Sequence, residues 1–326
     1  MNNFPVVGVK PRLFGSLARS AWWMKPIRAE RMAAFRIGIG LALLIDVFCF
    51  YLPAAHDFFG GDSLGSPEIF AGRLDDPWRW SLLGGISDLA VIRAALYVWA
   101  AAALLLTLGV YPRLCAAVAW MLAVSVQNAN FYLHNSGDNV RNIALFYLML
   151  APCGAAWSLG SVLMRMRSGR ARPTFIYPWP VRLLTVQLAT IYFVNGAYKF
   201  AGGDWRNGQV MHDVLGNIAW TRFPTAGLPI PEIAVVAMTW ATLFWELGFP
   251  LLMLVPRLRV PTLLVGVFFH LGTMVLFQIA MFPIYMLCLY LPLVPWEACD
   301  RRLSDAERQG GGALTEAPGD SHCSAV

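Results

Sequence analysis

The chain has 326 residues, of which 58% are hydrophobic and only 13% charged, with a mean hydropathy of +0.56. A soluble globule of that composition would be covered in apolar surface, so lipid is its natural solvent. The formal net charge of +6 comes from basic residues scattered over connections, without aromatic interleaving or a groove-sized patch, which argues against nucleic acid as a partner.

Residues 1–31 are basic and lack a compact apolar run ending in a small-residue cleavage site. We therefore expect a cytoplasmic N-terminal segment there and no cleaved signal peptide. A spanning helix needs about 20 mostly apolar residues. Stretches of that kind run over 32–53, 92–111, 114–133, 142–160, 181–200, 232–255, 260–277 and 279–296. The expected fold class is all-α, a polytopic membrane helix bundle of about eight transmembrane helices forming one domain over 32–298. Residues 260–296 run apolar almost without a break, so they read either as two helices turning near Gln278 or as one helix and a re-entrant segment. Residues 299–326, with a Gly-Gly-Gly run and Ala-Pro-Gly, carry too little apolar surface to fold and are expected to be a disordered cytoplasmic tail.

Lys and Arg accumulate in cytoplasmic connections. Lys10, Arg12, Arg19, Lys25, Arg28 and Arg31 precede the first stretch, and Arg113 follows the second. Arg165, Arg167, Arg170, Arg172 and Arg182 separate the fourth and fifth, Arg257 and Arg259 the sixth and seventh, and Arg301, Arg302 and Arg308 follow the last. The alternate connections carry Asp57, Asp62, Glu68, Asp75, Asp76, Asp88, Asp204 and Asp213. Every second connection is basic, which predicts a multi-pass cell-membrane protein with both termini in the cytoplasm. Cys49, Cys115, Cys153, Cys288, Cys299 and Cys323 show no CxxC spacing, so neither a disulfide framework nor a metal site is expected.

Ionisable residues within a span carry a penalty of about 3 kcal/mol on insertion scales, so each needs a partner or a function. Arg36 and Asp46 lie in the first stretch, Asn195 and Lys199 in the fifth, Glu246 in the sixth and His270 in the seventh. A rise of about 1.5 Å per residue puts His270 and Glu246 near the membrane middle, with Asp46 and Lys199 toward the outer side. They either line one cavity opening outward or form pairs that lock the bundle. Lys199 follows Tyr192-Phe193-Val194-Asn195-Gly196-Ala197-Tyr198 and precedes Trp205. A lysine there either snorkels to the interface or, when partial burial disfavours its charged form, becomes a general base. The connection from Asn128 to Arg141 gathers His134, Asp138, Asn139 and Arg141, as an elaborate helix cap or as part of a polar site beside Lys199.

Gln187 to Gly208, with Tyr-Phe, then Gly, Lys three residues on, Trp and Gly, resembles the helix of vitamin K-dependent gamma-glutamyl carboxylases that holds their catalytic lysine. Phe268-Phe269-His270 and Phe277 to Phe282 look like that family's Phe-His helix and following Gly-Met-Phe turn, and Ala34 to Asp46 is similar to its first helix. With His134 to Arg141 and Trp157-Ser158-Leu159, the pattern over roughly 30–298 resembles the bacterial HTTM (horizontally transferred transmembrane) branch of that superfamily, which implies a bacterial inner membrane.

The resemblance implies that Lys199 is the catalytic base that deprotonates a reduced vitamin K or menaquinol. Oxygen then adds, and an epoxide-forming alkoxide removes a gamma proton from a peptide glutamate before carbon dioxide adds. It makes His270, Asn139, Asn195 and Tyr192 the candidate cofactor-binding residues of an outward-facing site. Arg36, Asp46, Asp138, Arg141, Trp205 and Glu246 are site-lining or structural, and no metal is required. The carboxylases have Lys-Lys where this chain has Tyr198-Lys199, and their large lumenal propeptide-binding region has no counterpart in this sequence. The expected partners are the lipid bilayer and either a secreted peptide or a separate substrate-presenting protein. Three readings stay open: a quinol-dependent modification enzyme, a non-catalytic partner in maturation or export of a secreted peptide, and a transporter or structural membrane protein. A transporter calls for discontinuous helices and an internal repeat, and neither is clear in the sequence.

Overall fold

Capping residues set the helix boundaries. Asp88 accepts from the Ala90 amide to open α3 (Leu89–Leu108), and Gly109 closes it in the left-handed conformation at φ 73°. Ahead of it stand α1 (Glu30–Asp46), which runs on through a π-helical turn over Val47–Tyr51, and the short α2 (Ala55–Phe59). Pro112 starts α4 (Pro112–Ala129), and Asn135 with Asp138 forms a capping box for α5 (Ser136–Leu150). Ser158 caps α6 (Leu159–Ser168). Then come α7 (Trp179–Ala201), two short helices α8 (Gly203–Arg206) and α9 (Val210–Gly216), α10 (Glu232–Leu254), α11 (Arg259–Leu276) and α12 (Phe282–Tyr290), which ends in a 3-10 turn over Leu291–Leu293.

This is a computed structural model, and it describes residues 24–61, 63, 79–169, 175–223 and 229–294. The basic residues Lys10, Arg12 and Arg19, the acids Asp62, Glu68, Asp75 and Asp76, Arg170, Arg172 and the expected tail over 299–326 lie outside the described residues.

The expected all-α membrane fold is what forms. Each of the eight apolar stretches contains a helix, but among the described residues only α1 with its π turn, α3, α10 and α11 are both long and apolar enough to cross a bilayer. Two stretches differ most from the sequence reading. The stretch at 142–160 becomes a 15-residue helix starting at Ser136, because the capping box fixes its start and the chain leaves helical geometry at Ala151, before Pro152. The stretch at 279–296 shrinks to the nine residues of α12 plus its 3-10 turn. At about 1.5 Å per residue neither helix alone reaches across about 30 Å of hydrocarbon. Residues 260–293 are thus two helices separated by a break at 277–281, where Ala280 sits at φ 47°. Among the described residues, the departures from all-α are an isolated bridge between Thr221 and Phe277 and a two-residue antiparallel pair, β1 (Ile27–Arg28) with β2 (Phe175–Ile176), which ties the entry to α1 to the entry to α7.

The helices pack in two groups. In the first, α1 lies on α3, α3 on α4, α4 on α5, and α12 closes against α5 and α1; in the second, α10 packs on both α7 and α11. Contact between α11 and α12 joins them. Small residues permit the closest approaches, as in membrane helix pairs generally. A Cβ on Gly196 would stand 3.0 Å from the Leu247 backbone nitrogen, and one on Gly40 would meet the Thr107 hydroxyl at 2.1 Å.

Candidate functional site

The polar residues singled out from the sequence separate into three places. Arg36 is fully buried near the start of α1 and donates to the carbonyls of Cys153 (2.8 Å), Ala156 (3.2 Å) and Trp157. It clamps the 151–158 connection and lies far along the helix from the other candidates.

Arg141 centres the second place. Its Nη1 lies 2.8 Å from Asp138 Oδ1 and 3.1 Å from Asp46 Oδ2, and it also donates to the Tyr51 hydroxyl at 3.1 Å. Tyr285 donates to Asp46 Oδ2 at 2.7 Å, Tyr51 to Asp138 Oδ1 at 3.2 Å, and the Asn135 amide to Asp138 Oδ2 at 2.8 Å. The guanidinium carbon lies 5.1 Å from the centroid of Trp99. Asp138 therefore serves at once as helix cap and counter-ion. Asn139 and His134 stay exposed at the surface, 3.4 Å apart. Among the described residues, no hydrogen bond or ion pair links this cluster to Lys199.

Lys199 leads the third place, at the C-terminal end of α7. Its Nζ lies 2.5 Å from Glu246 Oε1 on α10, with the lysine side chain 25% and the glutamate side chain 6% exposed. The same ammonium lies 4.8 Å from the centroid of Trp205, a cation–π contact supplied by α8. Deeper in, the Tyr192 hydroxyl is 2.6 Å from His270 Nε2 and 2.5 Å from the Tyr290 hydroxyl. The absence of a side chain at Gly266 makes room for that hydroxyl, since a Cβ there would lie 2.0 Å from it. Asn195 is exposed and donates to its own helix at the Ile191 carbonyl (2.8 Å).

Hydrogen counting fixes the direction of the Tyr290, Tyr192 and His270 chain. If Tyr192 donates to His270 Nε2 and accepts from Tyr290, the one idle group is His270 Nδ1–H. If Nε2–H donates instead, both the Tyr290 hydroxyl proton and the Nδ1 lone pair are idle. Buried polar groups are satisfied wherever geometry allows, so the first arrangement is favoured. His270 then carries its proton on Nδ1, which has no partner, like Trp245 Nε1 and Glu246 Oε2. Three idle polar atoms thus belong to adjoining residues: two N–H donors and one carboxylate acceptor. Trp245 stacks edge-on against Tyr192 at 4.5 Å and also lines an apolar cavity of about 320 Å³ between α9, α10 and α11, walled by Met211, Leu215, Met238, Phe268, Phe269 and Leu276.

The HTTM-domain model matches residues 78–295, two thirds of the chain. The chain belongs to the HTTM-domain family. This HTTM protein is a membrane protein, as its apolar helices also require. The match includes Lys199, Glu246 and His270, whereas the likeness drawn over Ala34 to Asp46 lies before its start. No curated protein and no solved structure matches the chain.

Sequence reasoning did not pair Lys199 with Glu246, and it overlooked Tyr51, Trp245, Tyr285 and Tyr290. Their signal was available: a phenol or indole in an apolar run needs a partner for its polar tip when buried. Phe282 to Tyr290 carries two such tyrosines.

Proposed function

We propose that this HTTM protein is a quinol-dependent modification enzyme, related to the membrane domain of the vitamin K-dependent carboxylases, whose proton-accepting unit is the Lys199–Glu246 pair. The observation that carries the reading is a lysine paired to one oxygen of a mostly buried carboxylate while the other oxygen has no partner. The site faces outward on the arrangement of basic connections described above.

The pair changes what the lysine does. An ammonium already bound to a carboxylate is not a free base, so the group able to take a proton is Glu246 Oε2. When a proton arrives there, the Lys199 charge is no longer neutralised by its partner and is available to a new anion beside it. Gaining or losing one proton at Glu246 thus changes the net charge of the pair. His270 Nδ1–H and Trp245 Nε1–H are fixed donors able to orient a polar ring, and the apolar cavity beside Trp245 suits an attached hydrocarbon tail. These residues fit a reduced vitamin K or menaquinol, with two hydroxyls on an apolar body. When bound, such a quinol supplies, with oxygen, a base stronger than any side chain. Tyr192 acts through His270, because its hydroxyl is occupied on both sides.

The test is mass spectrometry of quinone products after purified protein in lipid receives reduced vitamin K or menaquinol, oxygen and carbonate. Epoxide from wild type, with none from Lys199→Ala or Glu246→Gln, is the expected result. No epoxide from folded wild-type protein would overturn the enzyme reading and leave the non-catalytic peptide-maturation partner, for which the Lys199–Glu246 pair is only a bundle lock.

A further inference from the structure

The helix α6 is the exception among the longer helices. It has ten residues, a Ser158 side chain accepting from the Ser161 amide at its start, and Gly169 in the left-handed conformation at its end, so it is a complete and capped unit. Yet among the described residues it makes no substantial packing contact with another helix. Leu159, Val162, Leu163 and Met166 recur at the i, i+3, i+4, i+7 spacing of a buried face, and all four are exposed, Met166 at 77%.

At about 100° per residue, these four side chains fill an arc of about 100°. Arg165 falls on one edge of the arc and Arg167 on the other, while Ser161 and Ser168 lie opposite. A face of that kind, apolar in the middle with an arginine on each flank, matches a helix lying in a bilayer surface: the apolar side chains enter the acyl boundary and the arginines reach sideways to phosphates. Both arginines are exposed.

The helix is also held at a defined level. Arg36 takes the carbonyls of Cys153, Ala156 and Trp157, three residues of the connection that delivers the chain to the Ser158 cap. Arg113 holds the Ala151 carbonyl of the same connection at 3.1 Å. The buried arginine of α1 thus acts as the anchor from which α6 departs at one end of the bundle.

We propose that α6 is an interfacial helix that binds the headgroups of anionic lipids through Arg165 and Arg167, with Arg36 setting its depth. The choice of a lipid surface rests on charge complementarity and on the continuity of α6 with a bundle that already sits in lipid. This proposal is independent of the chemistry at Lys199.

The test uses the full chain in nanodiscs of phosphatidylcholine alone or mixed with phosphatidylglycerol. An environment-sensitive fluorophore is placed on Val162→Cys or, separately, on Ser161→Cys, and the signal of the parent chain is subtracted. The Val162 label should be quenched by doxyl-bearing lipid and protected from aqueous iodide, with the reverse for the Ser161 label. Each arginine favours an anionic surface by roughly fivefold, so Arg165→Gln with Arg167→Gln should lower the lipid-shielded to water-exposed ratio by roughly 25-fold in the phosphatidylglycerol discs. The same double change should have little effect in phosphatidylcholine. Equal iodide quenching of the two labels would overturn the proposal by placing α6 in water. Protection of the Val162 label from both quenchers would overturn it in favour of a protein partner, and a double variant that keeps the parent's ratio in the phosphatidylglycerol discs would remove the anionic headgroup.

Discussion

Arg141 and Lys199 each stand beside a buried carboxylate, but their surroundings differ. Around Arg141, two aspartates, two tyrosines and a backbone amide exchange bonds until two N–H donors, Arg141 Nε and Trp99 Nε1, are the buried side-chain atoms left without a partner, with no carboxylate oxygen among them. Around Lys199, Glu246 Oε2, Trp245 Nε1 and His270 Nδ1 all stay idle within one packed group of helices. Buried polar groups left unbonded are destabilising, by about 1–3 kcal/mol each. A fold tolerates three of them together most readily where something else binds. Saturation marks the first region as a lock between α1, α4, α5 and α12, and incompleteness marks the second as a site.

That contrast is broken or sharpened by substitutions of graded severity. Arg141→Met strands two buried aspartates and should destabilise the protein by about 3–5 kcal/mol, read as a large fall in the midpoint of thermal unfolding in detergent. A fall no larger than that of a surface change would mean the cluster does not lock the helices. Gly266→Ala drives a methyl group into Tyr290 and should lower stability by about 1–3 kcal/mol. It should also weaken quinol binding, because the Tyr290 to Tyr192 bond is the one displaced; unchanged binding would detach the tyrosine chain from the site. Ala280→Gly relieves a left-handed residue at the break between α11 and α12 and should raise stability by about 1 kcal/mol. Lys199→Met combined with Glu246→Leu replaces both partners by apolar side chains, so it should change stability by less than about 1 kcal/mol while abolishing turnover. A double variant as unstable as Arg141→Met would make the second region a lock like the first.

Much of the fold was legible because the apolar runs are long and the capping residues local. The stretch read at 92–111 becomes α3 over Leu89–Leu108, a shift of three residues set by the caps Asp88 and Gly109. The span at 142–160 misled for a physical reason: polar Ser136 to Arg141 reads as connection, yet its first turns are helical because Asp138 and Arg141 find partners on α1. Such a partner is invisible in one sequence. The same holds for the site. Lys199, Glu246 and His270 stood out as charges or an imidazole in hydrocarbon, whereas their pairing depends on how α7, α10 and α11 cross, and Asn139 and Asn195 are exposed. The glycine that resembles a family turn is Ala280 here, and the chain keeps the left-handed turn without it.

The most direct measurement is a thermal-shift titration of wild type, Glu246→Gln and Arg165→Gln with menaquinol, under argon so that no turnover intervenes. A ligand that binds the folded state raises its midpoint with concentration, by about 2.7 kcal/mol at a hundredfold excess over Kd. The account predicts a rising midpoint for wild type and Arg165→Gln and a flat one for Glu246→Gln. Equal shifts for all three proteins, or none for wild type, would contradict the claim that the idle polar atoms around Lys199 are held for a quinol.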